Sequence, residues 1–227
     1  LAIITLVLSY FVRFEDASSL RSVSLRELKP GKLFTNYHYV TFLIFIFFLC
    51  MPNSPAGSFM PNLFDEVGGR MEQYGLMHCI RAFIEVPFFF FGKKILERFG
   101  SKKMIITAGC LYCLQHLIYA FATTPAQVIF AQMLLGPGYS LLLVATLDYV
   151  YKIVPDNLKA TAQTIVNATG YGLSSIIGNY GGGLIITYVG LRAIYWTGVV
   201  VDTVIITLFI LSFPFYRYCI SHRKEQV

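Results

Sequence analysis

An all-α protein that crosses a membrane six times is the fold class this sequence predicts, and three observations predict it. Of the 227 residues, 56% are hydrophobic and 13% charged, against roughly a quarter charged in a soluble domain. The apolar residues gather in blocks of about 20, the length that crosses a hydrocarbon core about 30 Å thick at about 1.5 Å per helical residue. The basic residues collect in alternate breaks between those blocks. A β-barrel would alternate polar and apolar positions, and runs such as 40–49 and 199–213 do not.

The chain opens on an apolar run, residues 1–12, without a basic n-region or a small-residue cleavage site. It therefore reads as the end of a preceding transmembrane helix rather than as a signal peptide. Residues 13–36 are polar and rich in Ser and charge, longer than an ordinary helix–helix connection. Six spans follow, at about 37–62, 72–92, 103–122, 126–150, 158–187 and 192–216, and residues 217–227 form a tail. Pro52 and Pro55 interrupt the first span and Gly136-Pro137-Gly138 the fourth. Both are places where a membrane helix is expected to bend, provided that neighbours satisfy the freed backbone groups.

Lys and Arg set the orientation. Five lie in 13–36, five in 92–103 (Lys93, Lys94, Arg98, Lys102, Lys103), two in 151–159 and three in the tail, fifteen of the eighteen on one side. The other side holds Arg70 and Arg192, and Arg81 lies within a span. The positive-inside rule places segment 13–36, the basic loops and the C-terminus in the cytoplasm of a cell-membrane protein. The formal net charge of +6 is then topological, facing lipid rather than nucleic acid. Of the five cysteines, Cys50, Cys79, Cys110 and Cys113 fall inside apolar spans. The Cys110-x-x-Cys113 pair has no second pair or His cluster to complete a zinc set. It reads as packing, and neither metal nor cofactor is expected.

The second span carries the candidate site. Tyr74, His78, Arg81 and Glu85 recur at intervals of four, three and four, which puts them on one stripe of a helix. Each mid-helix charge costs about 2.5–3.5 kcal/mol on insertion, and each Leu, Ile, Val or Phe contributes about 0.3–0.6 in favour. Nine such residues in this span offset roughly 3–5 kcal/mol against roughly 5–7 for the two charges. Insertion is marginal unless the stripe faces protein or a water-filled cavity, and intramembrane ionisable groups are functional candidates by default. Two readings stand: an Arg81–Glu85 ion pair that only fixes packing, or a transport site in which Glu85 carries a proton when Arg81 moves away.

The fifth span places Gln163, Asn167, Tyr171 and Ser174 on one face, running into Gly178 and Gly182. The glycines suit close helix packing, and Asn167 and Tyr171 are candidate ligand contacts. Gln115 and His116 in the third span and Gln132 in the fourth suit buried interhelical hydrogen bonds or ligand binding. Asp148 is placed to pair with Lys152, Asp202 sits on the sixth span, and Tyr195 and Trp196 read as interface anchors. No HExxH, Walker loop or G-x-S-x-G occurs, so no enzyme is expected.

The stretch Gly92-Lys-Lys-Ile-Leu-Glu-Arg-Phe-Gly-Ser-Lys-Lys103 resembles the cytoplasmic loop motif G-x-x-x-D-R-x-G-R-K of the major facilitator superfamily. Gly92, Glu97, Arg98, Gly100, Lys102 and Lys103 carry the match. It departs by one extra residue before the acidic position, by Glu97 for Asp and by Ser101 for Arg. Residues 85–91 (EVPFFFF), 158–163 (LKATAQ) and 178–183 (GNYGGG) are similar to the branch related to lactose permease, with its oligosaccharide, nucleoside and phenylpropionate proton symporters. The resemblance implies a twelve-helix parent, with 13–36 as its central cytoplasmic loop and 37–216 as the C-terminal six-helix bundle. It also implies two inverted three-helix repeats, an N-terminal six-helix half as partner, and a midplane site between the halves. Lactose permease has a His and a Glu in the helix matching the fourth span and an Arg in the third. Here Leu135, Gly138 and Gln115 stand near those places, so that proton relay does not carry over.

The expectation is a secondary transporter that moves a small polar solute, a sugar or nucleoside, with protons by alternating access. Glu85 and Arg81 would couple the proton, and His78, Arg81, Glu85, Gln115, Asn167 and Tyr171 would bind the solute. The alternatives are an aromatic carboxylate as solute, or a non-transporting receptor or assembly module built on the same bundle.

Overall fold

The computed structural model describes the backbone of residues 30–224 and the side chains of residue 31 and residues 33–214. The expected helix end at 1–12 and residues 13–29 of the expected loop lie outside the described residues. What is described is helical throughout. The order is α1 (Tyr37–Ser58), α2 (Met60–Glu66), α3 (Met71–Phe90), α4 (Gly92–Phe99), α5 (Ser101–Phe121), α6 (Pro125–Ile153), α7 (Lys159–Asn167), a π segment (Ala168–Leu173), α8 (Ser174–Tyr188) and α9 (Leu191–Lys224).

Local chemistry sets the helix ends. The Asn36 side chain accepts from the backbone N–H of His38 and Tyr39 and caps α1. Its Nδ2 donates to the Ile153 carbonyl at 2.7 Å, tying the start of α1 to the end of α6. Pro125 opens α6, where a missing N–H costs nothing, and Gln127 Oε1 accepts from the Thr124 N–H. Gly100, at φ 77°, ends α4, and Gly190, at φ 117°, separates α8 from α9; both backbones suit glycine.

Among the described residues, four helices are long and apolar enough to cross a membrane: Tyr37–Ser58, Ser101–Phe121, Pro125–Ile153 and the Leu191–Pro214 part of α9. Helices α3 and α4 make a fifth if taken together across their 57° bend. The expected span 158–187 is a helical run from 159 to 188, divided by the π segment into two pieces that are each short of a crossing. The expected loop after the second span is helical, as α4, and α9 continues through most of the expected tail.

Two expected bends do not break their helices. Helix α1 runs through Pro52 and Pro55 to Ser58, and α6 runs through Pro137. Pro55 has no N–H to bond the Met51 carbonyl, and Gly178 of α8 packs directly on that oxygen. A Cβ at 178 would stand 2.1 Å from it. The close approach allows a Cα–H···O contact where the helix bond is missing. Gly182 sits on the Pro55 ring, and Asn179 donates to Ser54 at 2.7 Å.

The helices pack in the order α3, α6, α5, α9, α1, α8. Helix α5 buries Met104, Ile105, Ala108, Tyr112, Gln115, His116 and Tyr119, a three-four spacing that turns one stripe inward. Two apolar clusters form the core. One, at the basic end, gathers Tyr39, Phe42, Phe45, Tyr149 and Phe209. The other, at the opposite end, gathers Met60, Phe64, Met77, Tyr119 and Tyr195. Tyr195, expected as an interface anchor, is fully buried against Tyr119 with ring centroids 5.3 Å apart. Trp196, next in sequence, is on the outside against Phe121. Between the clusters, at intermediate positions along α5, α6 and α9, lie the buried polar side chains Gln115, His116, Gln132 and Asp202.

Candidate functional site

Helix α3 is the most lightly packed of the long helices: Met77 is its one buried residue, and Phe83 is 84% exposed. Its inner side rests on α6, where Gly136 admits the backbone. A Cβ there would come within 3.1 Å of the Arg81 carbonyl oxygen and 3.4 Å of the Glu85 nitrogen. Ser140 Oγ donates to the Glu85 carbonyl at 3.3 Å and to the Gly136 carbonyl at 2.9 Å. This contact fixes the rotation of α3 and with it the direction of the stripe.

Along the stripe, the Phe64, Tyr74 and His78 rings meet edge to face in sequence, at 5.8 and 4.8 Å. His78 is exposed. Arg81 Nε stands 3.8 Å from Glu85 Oε2, with the two side chains 25% and 19% exposed. That is an ion pair too long to be a hydrogen bond. Arg81 Nε is buried and has no hydrogen-bond partner among the described residues. The guanidinium therefore keeps donor capacity that its neighbour does not use.

The other candidate residues lie on α7 and the π segment. Gln163 Nε2 donates to Asn167 Oδ1 at 3.1 Å, one turn apart. The π segment begins at the next residue. Its extra residue per turn re-aims the side chains that follow, a geometry frequent at functional sites. Gly170 packs on α1, where a Cβ would meet Ile46 at 2.6 Å. Tyr171 turns outward, 46% exposed. It interacts with Tyr139 of α6, and the buried Tyr112 of α5 lies within electrostatic reach of Arg81, Tyr139, Tyr171 and Cys50. Arg81 and Tyr171, 90 residues apart in sequence, are thus both within electrostatic reach of Tyr112.

Not every candidate joins them. Gln115 is buried in the seam between α5 and α6, donating to Tyr119 Oη at 2.8 Å and to Gln132 Oε1 at 3.5 Å. It shares the inward register of Tyr112 and Tyr119 and is buried in the bundle. The motif residues form a separate cluster at the basic end. Gly92 lets α4 approach α6, with a would-be Cβ 3.0 Å from Val144. Glu97 and Arg98 are exposed on α4, and Lys102 Nζ stands 4.0 Å from the Phe213 ring centroid. Asp148 pairs with Lys152 at 2.7 Å. Sequence reasoning missed Tyr112, Tyr139 and Ser140. Aromatic and small residues in apolar runs carry no signal of their own, and only the convergence of three helices singles them out.

The chain is similar to known membrane transporters in sequence and in fold. The chain is 28% identical over 165 residues to the uncharacterized transporter YwbF of Bacillus subtilis, covering 72% of this chain and 41% of that one. It is 25% identical over 153 residues to the maltose permease of Geobacillus stearothermophilus, covering 67% and 39%. The chain therefore spans about two fifths of the length of these relatives. In structure it is similar to the nucleoside transporter NupG, with a TM-score of 0.72 at 18% identity over 93% of this chain and 57% of that one. The shared fold is all-helical and accounts for about half of the solved transporter. The profile of the MFS_1 like family matches residues 2–197. The chain is part of a multi-pass membrane protein of the major facilitator superfamily, transporters and not enzymes, and belongs to its MFS_1 like family.

Proposed function

We propose that this chain is the C-terminal six-helix half of a twelve-helix, proton-coupled symporter for a small polar solute, a sugar or a nucleoside. In this reading α3 with α4 and the 159–188 run each complete a crossing, and the six form two inverted three-helix repeats. The basic end and the C-terminus face the cytoplasm. An N-terminal half closes the open side between α3 and α7, and the two halves rock about a midplane site. The observation that carries the reading is a set of polar side chains left accessible on the bundle, Arg81 and Glu85 partly exposed on α3 and Asn167 and Tyr171 exposed on the 159–188 run. A purely structural ion pair would be expected to close on itself. Here the pair is long, and Arg81 retains an unused donor.

His78, Arg81, Glu85, Asn167 and Tyr171 would contact the solute, tyrosine faces and amide groups suiting sugar or base rings. Gln115 would act only through Tyr119 and Tyr112 of its own helix. Glu85 would take a proton when Arg81 turns to the solute, because desolvation then favours the neutral carboxyl. Maltose and nucleosides are the solutes named for two of the similar proteins, which supports that class. The free Arg81 Nε favours a second reading, a carboxylate-bearing solute.

The test is pH change in lightly buffered cells expressing the full-length protein, on adding sugars, nucleosides and aromatic acids in turn. Alkalinisation with one class, abolished by Glu85→Gln, is the expected result. Silence with all classes, with the protein present in the membrane, would move the reading to uniport, to sodium coupling or to a receptor.

A further inference from the structure

The stripe on α3 is not the bundle's only titratable pair. His116 of α5 and Asp202 of α9 meet with Nδ1 and Oδ2 2.8 Å apart, and both side chains are 0% exposed. Gly198, one turn before Asp202, makes room for the ring: a Cβ there would stand 2.8 Å from His116 Cγ. The pair lies between the two apolar clusters, in the layer that also holds Gln115 and Gln132. His116 Nε2 and Asp202 Oδ1 are buried and have no hydrogen-bond partner among the described residues.

Among the described residues, no Lys, Arg or other acidic side chain bears on Asp202. Cys50 of α1 and Cys113 of α5 are within electrostatic reach of Asp202. Cys113 Sγ is engaged with Thr203 Oγ1 at 3.4 Å. The other titratable side chains of α1 are Tyr37, His38 and Tyr39, at its basic end, and α8 contributes Tyr180 and Tyr188, both exposed. With neutral His116 and ionised Asp202, the site would hold a net negative charge with one carboxylate oxygen unpaired. That is the costly arrangement in a low-dielectric interior. One added proton makes the pair net neutral, as imidazolium with carboxylate or as imidazole with carboxylic acid.

We propose that His116 and Asp202 together form a proton-binding site, separate from the α3 stripe, that holds one proton across the neutral pH range. Loading takes a proton from solvent and brings the pair from net −1 to zero. Release returns that proton when α5 and α9 part enough to admit water. A site at this seam links proton occupancy to the packing of α9 on α5, whereas the stripe would link it to the solute.

Two spectra of the full-length protein in lipid vesicles test the binding, and neither depends on the transport reading. Imidazole 15N shifts, with His116 identified by its loss in His116→Gln, report a doubly protonated ring. The infrared carbonyl band of a carboxylic acid, identified by its loss in Asp202→Asn, reports protonated Asp202. Either signal at neutral pH is the expected result. A neutral His116 ring together with ionised Asp202 would overturn the proposal. Should Asp202→Asn not reach the membrane, a shift of the band in His116→Gln, where the carboxyl loses its imidazole partner, or the 15N signal alone, still decides.

A second measurement rests on the transport reading and asks whether the proton is coupled. Asp202→Asn should keep solute exchange within about threefold of the parent while proton-driven accumulation falls by about tenfold or more. Equal loss of exchange and accumulation would assign the pair to packing and overturn the coupling role. Failure to find any solute would remove the transport reading and leave the spectroscopic result standing.

Discussion

Of the ion pairs among the described residues, Arg81–Glu85 and His116–Asp202 are built in opposite ways. Arg81 and Glu85 sit one turn apart on a single helix, 3.8 Å from each other and partly exposed, on an α3 that buries one residue. His116 and Asp202 come from different helices, 86 residues apart, in direct contact at 2.8 Å and wholly buried. A pair that must change partners should be loosely held, near water, and cheap to separate. A pair in a closed seam is expensive to break and registers only events that part the helices. The difference suits the first pair to a change of partners and ties the second to the packing of α9 on α5.

The comparison predicts a ranking of substitutions, read as thermal unfolding of the solubilised protein. Asp202→Ala should be the most damaging, about 3–5 kcal/mol, because it strands a buried imidazole. Changing both partners, His116→Leu with Asp202→Leu, should recover most of that loss or exceed the parent by about 1–4 kcal/mol. A double variant as unstable as Asp202→Ala would mean that the seam needs the hydrogen bond itself. Gly198→Val comes next, at about 1–3 kcal/mol, since the added atoms displace the His116 ring. Smallest is Glu85→Gln, under about 1 kcal/mol, as befits a partly exposed pair; an effect as large as that of Asp202→Ala would erase the distinction between the two pairs. Gly183→Ala serves as the blank, because nothing lies within 4 Å of its would-be Cβ, and its unfolding midpoint should not fall.

Much of the fold could be read along the chain because hydrocarbon is an unforgiving solvent. Apolar length, the break residues and the side on which Lys and Arg fall are properties of composition, and the helices follow them closely. The predicted spans 103–122 and 126–150 lie within three residues of α5 and α6 at every boundary. Proline did not end α1 or α6, because a neighbour can pack on the carbonyl that it leaves free. At Met51 the backbone of Gly178, distant in sequence, fills that place.

Of the site, the sequence by itself determined the stripe, since four polar residues at helical spacing share a face wherever the helix lies. It also named Asn167, Tyr171, His116 and Asp202 as polar side chains in apolar surroundings. It could not say which of them meet, because contact between helices depends on rotation and crossing, and those are set by glycines such as Gly136, Gly170 and Gly198 seating against particular neighbours. Only the tertiary structure decided that Gln115 turns to the seam, that Tyr112 comes within electrostatic reach of both Arg81 and Tyr171, and that His116 finds Asp202. Periodicity fixes which residues share a face, and packing alone fixes what that face sees.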